Sequence, residues 1–306
     1  MVVRDRIDGW WEQRSTAGFP RRATLKDRNA RPLVQPPLVI GHRGAAGEAP
    51  ENTLAAFELA LRQGADGIEL DVHLSADGAP VVIHDPRLDR TTSGAGRVRD
   101  HTLAALRRLD AGSWFNQRYP AKARPRYAGL KIPTLAETLA WARDRKCLVY
   151  VEIKRPHSFQ GKIVPYPEIE GRVLEEIDRA GVRSMVTAIS FDLPTLRRLR
   201  HLDSEIALGI DFTRPLLAIR RAESLGATTV APHWAFASKG FIERAHRAGI
   251  RVLVWDLDQA QWMRRKISDG VDGIITRYPA KLVEVAGGKQ QSVGGKPRWV
   301  AESLGH

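Results

Sequence analysis

A single cysteine, Cys147, leaves no partner for an internal disulfide, so the chain is not a disulfide-stapled secreted domain and a reducing, cytoplasmic setting is the simpler reading. Cys147 opens the apolar run Cys-Leu-Val-Tyr-Val, which marks a buried, inert thiol rather than a nucleophile. No apolar run reaches about 18 residues, so no membrane-spanning helix is expected. The N-terminus lacks the apolar core of a secretory signal, because Arg4, Asp5, Arg6 and Asp8 interrupt it. The Gly-x-Gly-x-x-Gly order of a dinucleotide-binding turn is missing after the first strand candidate, where Gly41-His42-Arg43-Gly44 stands instead. Acidic residues are in the minority, 35 against 48 Lys and Arg, giving a net charge of +13. That surplus favours anions such as phosphate esters, but the basic residues are spread along the chain with acidic ones between them. No nucleic-acid motif accompanies the charge, and a nucleic-acid partner is not expected.

What is present is a repeated alternation of short β-branched runs and amphipathic stretches. The strand candidates are Leu38–Gly44, Gly67–Ser75, Pro80–Asp85, Leu148–Lys154, Met185–Ser190, Ile206–Asp211, Thr228–His233, Arg251–Asp256 and Gly273–Thr276. Helical stretches Thr53–Gln63, Leu135–Arg145, Pro167–Ala180, Leu193–Leu202, Pro215–Leu225, Lys239–Ala248 and Ala260–Asp269 follow most of them, several ending at a glycine. Gly67–Ser75 and Pro80–Asp85 are separated only by Ala76-Asp77-Gly78-Ala79, and Asp-Gly suits a tight hairpin turn. Parallel neighbours need a crossover of about a dozen residues, so the second run is an antiparallel return. Eight parallel strands remain, and the expected fold is an α/β (β/α)8 TIM barrel. Residues 86–133 fit no strand–helix unit and are read as a small subdomain inserted after the second-strand hairpin, over the catalytic end. The expected organisation is a basic leader over 1–37, a barrel over 38–286 and a flexible tail over 287–306. In the leader, Ile7, Trp10 and Trp11 share a helical face, which suits either packing on the barrel or weak peripheral contact with a membrane.

Side chains two apart on a strand share a face, so Glu69 and Asp71 project together while Ile68, Leu70 and Val72 take the other side. Two carboxylates in an apolar strand are costly to bury without a cation. Glu152 and Lys154 repeat the pattern on Leu148–Lys154. Residues at the C-terminal ends of barrel strands converge on one pocket, and three carboxylates meeting there form an all-oxygen site suited to Mg2+ or Ca2+. Taken singly, each pair suits equally a salt bridge closing a barrel layer. His42 ends the first strand and His84 ends the hairpin return, where a two-residue turn sets it opposite Asp71 and a longer loop shifts it by a residue or so. Two imidazoles beside a metal meet the needs of phosphodiester cleavage, one to take a proton and one to give it. Arg43 and Lys154 add positive charge for a phosphoryl group.

The run from Gly41 to Gly96 resembles the N-terminal signature of the glycerophosphodiester phosphodiesterase family, carried by His42-Arg43-Gly44, Pro50-Glu51-Asn52-Thr53, Glu69-Leu70-Asp71 and His84-Asp85. Val-Glu-Ile-Lys at 151–154 and the terminal Asp-Gly-Ile-Ile-Thr-Arg-Tyr-Pro match as well, and the resemblance spans roughly residues 38–285. It includes the insertion that separates this family from related phosphatidylinositol phospholipases. The resemblance implies a divalent metal on Glu69, Asp71 and Glu152 with Glu51 close by, His42 and His84 as the acid/base pair, and Arg43, Asn52 and Lys154 on phosphate or metal-linked groups. It implies hydrolysis of glycerophosphodiesters to glycerol 3-phosphate and an alcohol: the glycerol 2-hydroxyl attacks phosphorus, and water opens the cyclic phosphate. His42 is assigned as first-step base and His84 as acid, with the roles exchanged in the second step.

Three positions depart from the family pattern. Where the penultimate strand usually reads Val-Trp-Thr-Val-Asn, this chain has Val254-Trp255-Asp256-Leu257-Asp258. Trp255 is retained and suits an apolar wall for the substrate or a barrel-layer tryptophan. Asp256 and Asp258 replace neutral residues and alter the charge near the pocket. Arg277 stands where an Asp is common, which removes an N-cap and adds positive charge. Competing readings are a lysophospholipase D-like activity on lysophospholipids and a non-catalytic phospholipid-binding barrel.

Overall fold

The computed structural model describes residues 36–154, 168–213 and 217–287. The expectations for the leader and the tail fall almost wholly on residues 1–35 and 288–306, outside the described residues.

Nine strands form one sheet: β1 (Leu38–His42), β2 (Gly67–Leu74), β3 (Pro80–Val82), β4 (Leu148–Ile153), β5 (Val186–Ser190), β6 (Leu208–Phe212), β7 (Thr229–Pro232), β8 (Arg251–Val254) and β9 (Gly273–Thr276). The order β1-β9-β8-β7-β6-β5-β4-β2, closed by pairing of β1 with β2, makes an eight-stranded parallel barrel. β3 pairs antiparallel with β2, as the Asp77-Gly78 turn requires. The register pairs Leu74 with Pro80 and His73 with Val81, and Ser75 N donates to Ala79 O, leaving a three-residue loop at Ala76–Gly78. Gly78 takes φ +79°, the positive angle that closes such a loop. The pairing is therefore one residue off the two-residue-turn alignment. β3 also stops at Val82 rather than Asp85: Ile83 N still donates to Asp71 O, but beyond it side chains take over, His73 Nε2 on His84 O and Arg90 on Asp85. His84 consequently lies beyond the strand end.

The helices between strands are α1 (Leu54–Arg62), α4 (Leu135–Arg145), α5 (Ile169–Ala180), α6 (Leu193–Leu202), α7 (Ala218–Leu225), α8 (Lys239–Arg247), α9 (Ala260–Asp269) and α10 (Pro279–Val285). Their starts are written locally: Thr53, Thr134, Asp192 and Ser238 each accept a hydrogen bond from a first-turn N–H, and Thr134 with Glu137 completes a capping box. Residues facing out of β2, namely Ile68, Leu70, Val72 and Leu74, pack with Phe57, Leu139 and Val173 in the core between barrel and helices. Inside the barrel, Ile40, Tyr150, Ile189, Leu253 and Ile275 form a separate apolar layer.

Between β3 and α4 lie two short helices, α2 (Leu103–Leu106) and α3 (Ser113–Arg118). This segment has its own core of Ile83, Leu88, Val98, Leu106 and Ile132. It is tied to the loop after β1 by Lys122 Nζ on Gly47 O (2.6 Å) and Tyr127 Oη on Glu48 O (3.2 Å).

Candidate active site

Strand register does most of the assembly. His42 is aligned with Glu69 across β1 and β2, and Asp71 with Glu152 across β2 and β4. Alternation along β2 turns Glu69, Asp71 and His73 to the same face, all buried. Oxygens of Glu69, Asp71 and Glu152 lie within 4.8 Å of one another, the carboxylate cluster expected from sequence.

The β1–α1 loop supplies the surrounding groups. Arg43 and Asn52 both adopt positive φ, +53° and +56°, and Asn52 N donates to Arg43 O across the loop. A non-glycine residue held this way is strained, and the strain aims both side chains inward. Arg43 N donates to Glu69 Oε2 (3.0 Å), its Nε lies 3.2 Å from Asp71 Oδ2, and its Nη1 donates to Glu51 Oε1 (2.9 Å). Asn52 Nδ2 donates to Asp71 Oδ2 at 2.7 Å. From β4, Lys154 Nζ reaches Asp71 Oδ1 (2.9 Å) and Glu152 Oε2 (2.6 Å). Gly44 permits the tight path, since a Cβ there would sit 2.5 Å from the Ala56 backbone.

The electrostatics follow from burial. Desolvation, then the charges of Asp71 and Glu152, push the Glu69 carboxyl well above the usual range. Burial likewise raises Glu152, with Lys154 opposing. Asp71 pays the same desolvation but is held well below its ordinary value by Lys154 and Arg43. Desolvation opposes the charge on Lys154, yet Asp71 and Glu152 raise it. Three carboxylates therefore face two fixed cations, and Asp71 Oδ1, though close to Lys154, lacks a hydrogen bond of good geometry. An all-oxygen, net-negative, buried cluster fits a hard divalent cation.

His42 stands between two carboxylates, with Nδ1 3.2 Å from Asp256 Oδ1 and Nε2 3.8 Å from Glu69 Oε2. His84 Nδ1 lies 2.6 Å from Asp85 Oδ1. Asp85 is gripped by Arg90, whose other contacts are the two oxygens of Glu51 at 2.7 and 2.8 Å. Glu51 thus bridges Arg43 and Arg90 and stands apart from the three clustered carboxylates. Trp255 Nε1 donates to Ala231 O (2.8 Å), and its ring meets Phe191 and His233 edge-on, at 5.4 and 5.1 Å. It packs on the apolar layer inside the barrel.

Four residues at the site went unassigned from sequence. Asp85 and Arg90 hold His84; the dipeptide His84-Asp85 was a signal for the first, and nothing local pointed to the second. Asp256 touches His42 from 214 residues away. Asp211, at the end of β6, is buried with Oδ2 lacking a hydrogen-bond partner. Desolvation, then the charge of Glu152, pushes its carboxyl well above the ordinary range. The charge added by Arg277 proves to be locally matched: its Nε lies 2.6 Å from Asp258 Oδ2 and 3.4 Å from Asp256 Oδ1.

Residues 42–281 match the Glycerophosphoryl diester phosphodiesterase family. A glycerophosphodiester phosphodiesterase of Caldanaerobacter subterraneus is 37% identical over 249 residues, covering 81% of this chain and 97% of the relative. One from Bacillus subtilis is 33% identical over 261 residues, covering 79% and 84%. Among solved structures, an Oleispira antarctica phosphodiesterase in complex with the product sn-glycerol-3-phosphate is 31% identical, with a TM-score of 0.71 over 81% of this chain and 96% of that one.

Proposed function

The chain belongs to the glycerophosphoryl diester phosphodiesterase family and is a phosphoric diester hydrolase, and from that premise we propose that it cleaves glycerophosphodiesters to glycerol 3-phosphate and an alcohol. His42 and His84 act as the acid/base pair, and Glu69, Asp71 and Glu152 hold a divalent cation, Mg2+ or Ca2+. The observation that carries this reading is the pairing of two imidazoles, each with a carboxylate at Nδ1, around one buried carboxylate cluster. The product-bound phosphodiesterase of the same fold supports the substrate class.

Carboxylates accept hydrogen bonds, so Asp256 and Asp85 place the ring proton on Nδ1 of each histidine and leave Nε2 for catalysis. Nε2 of neutral His42 takes the proton of the attacking glycerol hydroxyl, and His84, entering the step as the imidazolium with a proton on both nitrogens, gives its Nε2 proton to the departing oxygen. The roles exchange when water opens the cyclic phosphate. Arg43 and Lys154 offset negative charge on the non-bridging oxygens. A divalent cation held by Glu69, Asp71 and Glu152 would supply Lewis-acid stabilisation of that same charge. Asn52 orients Asp71, Glu51 orients Arg43, and Trp255 forms an apolar wall for the substrate. The catalytic unit in this reading runs over residues 38–286, with residues 86–133 capping the pocket. A cytoplasmic setting accords with the lone Cys147, whose thiol burial pushes up to about 12, and with the absence, among the described residues, of a helix long and apolar enough to cross a membrane.

The test is release of glycerol 3-phosphate from glycerophosphocholine, with EDTA treatment and Mg2+ or Ca2+ add-back, beside Glu69→Ala and His42→Ala. Metal-dependent turnover lost in both variants is the expected result. Folded protein that turns over nothing with either metal overturns the reading. One observation favours a second: Phe191, 47% exposed, stands against Trp255 and offers apolar surface to an acyl chain. Lysophospholipids in the same assay, with and without residues 1–37, separate the two.

A further inference from the structure

We propose that Asp256 is a positioning residue for His42, holding the imidazole with its proton on Nδ1 and its Nε2 turned to the carboxylate cluster. The inference rests on the reading of His42 as an acid/base group. Asp256 lies just past β8, and β9 separates β8 from β1 in the barrel, so the side chain spans a whole strand to reach His42. The contact is direct, Oδ1 to Nδ1 at 3.2 Å. It leaves the opposite ring nitrogen, Nε2, facing Glu69 Oε2 at 3.8 Å, on the side of the carboxylate cluster.

The carboxylate is built to stay ionised. Burial opposes its charge, but the His42 hydrogen bond and the charges of His42 and Arg277 bring it down to about 2. An ionised carboxylate accepts and cannot donate, so the shared hydrogen resides on the histidine side. Asp256 is in turn supported from behind. Arg277 lies 3.4 Å from the same Oδ1, yet is taken up chiefly by Asp258, at 2.6 Å. Asp258 is itself fixed by Thr276 Oγ1 (2.8 Å) and Arg277 N (2.9 Å). Arg277 therefore props Asp256 without withdrawing it from His42.

The second histidine shows the same construction from unrelated parts of the chain: His84 Nδ1 on Asp85, and Asp85 on Arg90. The two imidazoles are matched in having Nδ1 on a carboxylate and differ in which strand end holds them. A carboxylate behind a catalytic imidazole fixes ring orientation and stabilises the imidazolium that forms.

The test compares Asp256→Ala, Asp256→Glu and His42→Ala with the wild type, by steady-state kinetics on glycerophosphocholine and by 15N NMR of the His42 ring. Asp256→Ala should lose roughly 10- to 100-fold in kcat with KM changed by less than about threefold. Its His42 resonances should shift from the Nδ1-protonated toward the Nε2-protonated tautomer, and Asp256→Glu should recover part of both. If His42→Ala is inactive while Asp256→Ala keeps wild-type kcat and an unchanged tautomer, the inference is overturned and the assignment of His42 stands. If His42→Ala retains full activity, the assignment of His42 falls and the inference falls with it.

Discussion

Replacing Glu69 by Gln should make the metal-free protein more stable while removing its response to metal. Glu69 is almost fully buried, and its oxygens lie within 4.8 Å of those of Asp71 and Glu152. At that separation two unit charges repel by about 3 kcal/mol for an effective dielectric constant of about 20. Arg43 and Lys154 offset much of this, so a net gain of about 1–2 kcal/mol is the reasonable scale for deleting one charge. Glutamine keeps the shape and keeps an oxygen to accept the Arg43 N–H, now made to Glu69 Oε2 at 3.0 Å. For a domain of this size the gain corresponds to roughly 3–6 °C in Tm. The pH dependence has a definite sign. Burial and its neighbours raise Glu69, so its contribution is fully present below the ordinary carboxylate range and is lost as pH rises toward the elevated value. The advantage of Glu69→Gln in EDTA should therefore be larger in neutral buffer than in buffer at the ordinary carboxylate value, about pH 4.3.

Metal acts in the opposite direction. A cation at a hundredfold excess over its Kd stabilises the wild type by about 2.7 kcal/mol, whereas a neutral ligand weakens binding and most of that gain disappears. Thermal unfolding followed by circular dichroism, with EDTA or with Mg2+ or Ca2+ at both pH values, measures all four quantities. A Glu69→Gln protein that is less stable than wild type in EDTA at every pH, or that gains as much from metal, refutes the reasoning.

Two further predictions concern stability. His73, buried on β2 with Nε2 3.0 Å from His84 O, is pushed down from 6.5 to about 4 by desolvation. Its folded value is depressed, so the stability it contributes is present above 6.5 and lost as pH falls toward 4, about 3 kcal/mol in all; urea unfolding should show a shallower acid loss in His73→Gln than in the wild type, and parallel losses contradict this. Gly112 begins α3, and a Cβ there would lie 1.8 Å from Tyr127 O. Gly112→Ala should cost about 2–4 kcal/mol in urea unfolding, and a change within about 0.5 kcal/mol means the insertion yields more readily than its packing implies.

How much of this was legible in the sequence depends on how far apart the interacting residues lie. Helices with a local cap and an apolar period were readable nearly to the residue: Leu135–Arg145, Leu193–Leu202 and Ala260–Asp269 all stand as expected. The hairpin was readable in kind but not in register, because Asp-Gly suits both two- and three-residue loops and Ser75 Oγ, by accepting from Ala79 N, favours the longer one. The insertion was the least legible part. Asp110 organises it by accepting from the backbone of Gly112, Ser113 and Gly129, contacts that carry no periodicity. Glu69, Asp71 and Glu152 could be grouped because alternation along a strand and convergence at a barrel end are general rules. Arg90 and Asp256 could not, since their partners Glu51 and His42 lie 39 and 214 residues away.

That division has a physical consequence for how the site tolerates change. The clustered carboxylates are placed by backbone register, and moving one requires moving a strand in the middle of a closed sheet. The two histidines instead lie at strand ends or beyond, His42 closing β1 and His84 two residues past β3, where side-chain contacts do the orienting. Each contact is an Asp held by an Arg, so the orientation of each imidazole rests on interactions that a single substitution can alter without disturbing the barrel. Asp256, Asp258 and Arg277 form one such set of contacts: one carboxylate meets the histidine, one guanidinium stands behind it, and a second carboxylate holds the guanidinium. Without Asp258, the Arg277 guanidinium would keep only its longer contact to Asp256. The set is nearly balanced, two carboxylates around one guanidinium, which lets this chain carry three charged residues beside the candidate site without losing the arrangement of the groups around it.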